Sequence, residues 1–261
     1  MEKKIWLSAI GANKETVQAV MAKLQGYGLA VDGHFFTDDL EKMAWAAPRQ
    51  QLLASDVALW LILGSAADLA QPTVRYGLSM LALTVQAERG PGFPPMIILQ
   101  GEGEVVLPES LPSPLADARI LSLANDAYAA KLVAAAHTAT VQVSQPSYRL
   151  DVYGISQIGQ WFEVGPRDDA WQGAIFGVSS GEISLHAVGP AGQLPERSVL
   201  NYPQQGLEVK LGDCCFTAWA VQNPLDLSSS YYLKVEGSPE RIMFCPYSSE
   251  QETEAYIISL Q

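Results

Sequence analysis

Adjacent carboxylates are the first residues here able to do chemistry. Asp38 and Asp39 follow an apolar stretch, residues 29–36, that reads as a strand. Side by side they can ligate a cation or hold ribose hydroxyls, but an acid at the start of a helix also satisfies free N–H groups and meets the positive dipole end. Ser8, Gly11 and Asn13 lie where residues 3–10, the first apolar run, give way to a helical pattern. The carboxyl end of a strand in an open α/β sheet is where ligands bind, and the helix start behind it can hold a phosphate. A single glycine is neither a dinucleotide fingerprint nor a P-loop, and a tight turn capped by Asn13 accounts for the same residues.

Other reactive side chains lack partners at useful spacing. His34, His137 and His186 are scattered, with no i, i+4 pair and no neighbouring cysteine, so no zinc site is expected. Asp168 and Asp169 with Glu163 lack EF-hand spacing and read as an acidic hairpin turn. Cys214, Cys215 and Cys245 form neither a disulfide framework nor a metal-spaced set. No serine sits in a nucleophile elbow, and no cofactor is implied.

The elements that must position these residues follow from hydrophobic periodicity. Continuous apolar runs at 57–63 and 96–99 read as strands covered on both faces, joined by a helix that Pro72 opens and that carries Val74, Leu78, Leu81 and Val85 on one stripe. With strands at 3–10, 29–36 and 119–123 and helices after residues 13, 38 and 125, the expected order is a doubly wound parallel sheet with flavodoxin-like strand order. Residues 101–117, rich in Pro and Glu, read as a surface excursion. Periodicity changes across residues 138–147. Beyond them, nine short β-branched or aromatic segments predict an all-β sandwich or barrel, in which His186 opposes Ile183, Leu185 and Ala187 and faces solvent. The expected fold class is α/β plus all-β, with domains at 1–140 and 148–261.

A formal charge of −12 repels a phosphate backbone, so nucleic acid and anionic membrane are not expected partners. Residues 1–145 hold 10 basic and 14 acidic side chains, and residues 146–261 hold 6 and 14, so the β half is the more acidic. The longest apolar stretch lies between Asp56 and Asp68, short of the roughly 20 residues that span a bilayer. The amino terminus runs directly into a strand without a secretory apolar segment, which predicts a cytoplasmic protein.

The first half resembles TIR-like domains, related in architecture to nucleoside deoxyribosyltransferase-like folds. The resemblance rests on Ile5-Trp6-Leu7-Ser8, on Leu24-Gln25-Gly26-Tyr27-Gly28-Leu29-Ala30-Val31-Asp32, on Leu53 through Gly64, and on Met96-Ile97-Ile98-Leu99 with the acidic loop behind it. It implies a glutamate on the helix after the third strand, contacting ribose during cleavage of an N-glycosidic bond in NAD or a nucleoside. Residues 66–78 contain no glutamate: Arg75 or Tyr76 stands there, and Asp68 is displaced toward the loop. Without the acid, the obvious stabiliser of an oxocarbenium-like transition state is missing.

The resemblance therefore implies a degenerate TIR-like domain that mediates self-association or docks a protein partner. The alternative is an N-glycosidase or ribosyl transferase using Asp68, Asp38 or Asp39 on a nucleotide-like small molecule. Its cleft would be formed by Ser8, Gly11, Asn13, Gly64, Ser65 and Arg75. The expected interface is Trp45, Arg75 and Tyr76, with Trp45 exposed because it lies one residue off the stripe Leu40, Met43, Ala44 and Ala47.

Overall fold

The computed structural model describes residues 3–138, 144–248 and 254–261. The chain divides into two compact units, residues 1–40 with 44–144, and residues 41–43 with 145–261. Residues 139–143 of the expected linker lie outside the described residues.

In the first unit, β1 (Lys4–Ala9), α1 (Lys14–Gly26), β2 (Ala30–Phe35), α2 (Arg49–Leu52), β3 (Val57–Gly64), α3 (Ala66–Leu69), α4 (Pro72–Arg89), β4 (Met96–Leu99), β5 (Arg119–Ser122) and α5 (Tyr128–His137) follow in order. The sheet is parallel throughout and ordered β2-β1-β3-β4-β5. Its side chains alternate between two covered faces, as the pleat requires. Ile5, Leu7, Leu61, Leu63 and Ile98 share a core with Val17, Val20 and Leu24 of α1 and Leu132 of α5. Trp6, Ser8, Trp60, Ile62 and Ile97, from alternate positions, are buried on the opposite face.

Local signals account for the helix starts. Asn13 caps α1 by accepting from Thr16 N at 2.8 Å, and Pro72 occupies the first turn of α4, where a missing N–H costs nothing.

The helix expected behind Asp38 and Asp39 does not form. Residues 36–39 are irregular, and a 3-10 turn at Ala44–Ala46 precedes α2, a single turn entered at Pro48. With the helical register gone, Trp45 turns inward and is 1% exposed, packed near Gly77 of α4. Tyr76 is likewise 1% exposed, because residues 76–85 of α4 are buried on every face. Both corrections remove the interface expected at Trp45 and Tyr76.

The second unit contains β6 (Tyr148–Ile155), β7 (Gly159–Pro166), β8 (Ala174–Val178), β9 (Glu182–Pro190), β10 (Gln204–Leu211), β11 (Cys214–Val221), β12 (Ser229–Glu236), β13 (Arg241–Pro246) and β14 (Tyr256–Ser259). They form two antiparallel sheets, β6-β7-β12-β9 and β10-β11-β8-β13-β14. The inner faces meet through rings such as Phe162 and Phe176, whose centroids are 5.4 Å apart.

His186 departs from expectation. Lys234 pairs with Leu185 but Val235 pairs with Ile183, so Ser184 is the extra residue of a β-bulge. The bulge inverts the alternation: Leu185 faces out, while His186 turns inward against Trp219 and Tyr231. Its Nδ1 lies 2.8 Å from the Tyr231 hydroxyl, and burial lowers its pKa.

Candidate functional site

The strand order reverses at β1, and the place between the carboxyl ends of β1 and β3 is where open α/β sheets have their ligand crevice. Its walls are the turn through Gly11 and the segment from Gly64 to Asp68. Gly11 has φ +59°, and a Cβ placed there would lie 2.5 Å from an Asp68 carboxylate oxygen. Both the backbone conformation and the close approach require glycine.

Asp68 is held by a reciprocal capping box. Ser65 donates to Asp68 Oδ2 from its hydroxyl at 2.6 Å and its N–H at 3.1 Å, while Ser65 Oγ accepts from Asp68 N at 3.0 Å. Glu104 closes the next gap: its Oε2 accepts from Gly101 N at 3.0 Å and from Ala66 N at 3.2 Å. Two carboxylates thus fill the backbone donors at the ends of β3 and β4, and they repel a phosphate from them. Sequence reasoning missed Glu104. Its spacing from Gly101 is visible, but its second donor, Ala66, is 38 residues away.

The remaining expected cleft residues separate. Ser8 is fully buried beneath the crevice and accepts from Trp60 Nε1 at 2.9 Å. Asn13 is engaged as a cap, and Gly64 packs at the strand end against Ile10. Asp38 accepts from Thr73 Oγ1 at 2.6 Å, which ties the segment after β2 to the first turn of α4. Asp39 is half-buried, and its main-chain carbonyl accepts from Ala44 N. No three His, Cys, Asp or Glu side chains among the described residues are grouped to hold a metal ion.

Arg75 belongs to a different feature. It donates from Nη2 to the Ser110 carbonyl, its Nε is buried without a partner, and burial lowers its pKa. It borders an open groove of about 300 Å³ formed by Ala66, Leu69 and Ala70 on one side and by Val105, Leu107 and Leu111 on the other. Two of these lining side chains protrude into solvent, Val105 at 74% exposure and Leu107 at 55%, and form the raised rim of the groove. The loop that carries them also carries the exposed Glu102 and Glu109, opposite in charge to Arg75. The excursion at residues 101–117 is therefore built on two 3-10 turns, Pro108–Ser110 and Ser113–Leu115, with Leu111, Pro114 and Leu115 anchored in the core.

His34 lies on the same sheet face as Ser8. Trp6 Nε1 donates to its Nδ1 at 3.1 Å, and burial lowers its pKa to about 4, so the ring is neutral near neutral pH. No described helix is long and apolar enough to cross a membrane. The chain matches no family model, and no curated protein matches it.

Proposed function

We propose that this chain is a cytoplasmic recognition protein whose α/β unit, a degenerate TIR-like domain, associates with a second copy of itself through the groove beside Arg75. The observation that carries this reading is the presence of hole and knob on one patch. Two-fold apposition sets Val105 and Leu107 of each copy against the groove of the other, the self-complementary arrangement a symmetric dimer requires. The order β2-β1-β3-β4-β5 supports the flavodoxin-like and TIR-like comparison. The patch is small, so the association is weak, with Kd on the order of micromolar or above.

Multi-angle light scattering across a concentration series tests the proposal. The mass of the wild type rises above that of one chain, 28.2 kDa, and the mass of a Val105→Asp/Leu107→Asp variant does not. A wild type that stays at one-chain mass at high concentration overturns it.

One observation favours an enzymatic second reading. Asp68 Oδ2 takes every hydrogen bond described for that carboxylate, which leaves Oδ1 at the crevice beside Gly11, able to accept from a sugar hydroxyl.

A further inference from the structure

Three loops of the second unit, residues 167–173, 191–203 and 222–228, emerge at the same end of the two sheets, as the pairings of Ala174 with Val221 and Pro190 with Ser229 require. They are braced against one another by main-chain hydrogen bonds. Trp171 and Leu225 exchange a pair at 2.9 and 2.8 Å. Gln222 N donates to Asn201 O at 2.9 Å, and Ala191 N donates to Ser228 O at 2.8 Å.

Asn223 completes the frame, accepting from Asn201 N at 2.7 Å and donating to Val199 O at 2.9 Å. Beneath the middle loop, the 3%-exposed Glu163 accepts from Gly192 N at 2.9 Å, and the Tyr232 hydroxyl accepts from Gln193 N.

Such bracing leaves little for the loops to order on binding, yet it presents apolar surface to water. Val199 is 79% exposed, Tyr202 is 74% exposed and Leu227 is 64% exposed. Tyr202 adopts φ +46°, a left-handed conformation that costs an aromatic residue and that glycine adopts freely, next door to Asn201, which Asn223 holds. The charges on these loops are Asp168, Asp169, Glu196 and Asp226 against Arg167 and Arg197, and Arg167 is engaged with the Tyr148 carbonyl. An exposed tyrosine ring on loops that carry more carboxylates than cations offers its face to a cation.

We propose that this platform docks a basic segment of a protein partner. A lysine or arginine of that segment seats on the Tyr202 ring, the surplus acidic side chains of the loops attract the segment, and its apolar residues cover Val199 and Leu227. The proposal is independent of the groove in the first unit.

A displayed library of short random peptides, panned on the full chain, tests it. The enriched peptides carry lysine or arginine beside an apolar residue, and their binding weakens as salt is raised. Synthetic copies lose about tenfold in affinity against Tyr202→Gly, which keeps the backbone conformation without the ring, and against Asp168→Asn/Asp169→Asn. They bind Val105→Asp/Leu107→Asp unchanged. No enrichment, enrichment of acidic or uncharged peptides, or basic peptides indifferent to Tyr202→Gly would overturn the proposal.

Discussion

The Asp68 carboxylate lies so close over Gly11 that a single methyl group at Gly11 would fall 2.5 Å from its oxygen. This contact joins the turn after β1 to the one after β3, so the two walls of the crevice are set by one glycine and one acid. Gly11→Ala carries a second cost, because alanine is strained at φ +59°. Urea unfolding should show a loss of about 1–3 kcal/mol. In an Asp68→Ala background the same substitution costs less, since the clash is gone. Equal losses in both backgrounds would mean that only the backbone conformation matters.

Glu104 tests the loop in a different way. Glu104→Ala leaves the N–H groups of Ala66 and Gly101 unpaired, at about 1–3 kcal/mol, whereas Glu104→Gln keeps one acceptor oxygen and loses less. Unfolding midpoints that rank wild type, glutamine, alanine are expected. Indistinguishable midpoints would remove Glu104 as the brace of the groove.

His34 gives the fold a pH dependence of definite sign. Its pKa falls from 6.5 in the unfolded chain to about 4 in the folded one, because burial disfavours the imidazolium. Below pH 6.5 the unfolded chain binds the proton more tightly. The contribution is therefore complete above pH 6.5, declines as pH falls from 6.5 toward 4, and is fully lost once pH has fallen through 4. With allowance for partial exposure it amounts to roughly 2–3 kcal/mol. Urea unfolding at pH 7 and pH 5 should show a steeper decline for wild type than for His34→Gln, and equal declines would contradict the assignment.

The enzymatic reading predicts turnover of NAD or a deoxynucleoside that Asp68→Ala abolishes. The recognition account predicts none above a buffer blank, because Ser65 and the backbone already engage Asp68 and no glutamate stands at residues 66–78. Product chromatography after long incubation separates the two.

Residues that took part in regular repeats were legible in the sequence; residues set by irregular backbone or by long-range approach were not. The buried runs at 57–63 and 96–99 announce strands because both faces of the sheet are covered. Asn13 and Pro72 are legible because capping is local. Trp45 departs from its helical stripe because its segment forms a 3-10 turn, and His186 departs from strand alternation because one bulge at Ser184 exchanges the faces of β9. Glu104 and the groove depend on two segments meeting at the ends of β3 and β4, which no local pattern encodes. Trp45→Ala accordingly costs about 3–5 kcal/mol of stability, as a buried aromatic does, and does not act as an interface residue.

Hydrogen exchange of the wild type at low and high protein concentration is the most direct test of self-association through the groove. The account predicts that amides of residues 104–111 and of the first turn of α4 exchange more slowly at high concentration. It also predicts that Val105→Asp/Leu107→Asp abolishes the difference. Exchange that is independent of concentration at those residues, or concentration-dependent protection confined to other surfaces, would contradict it.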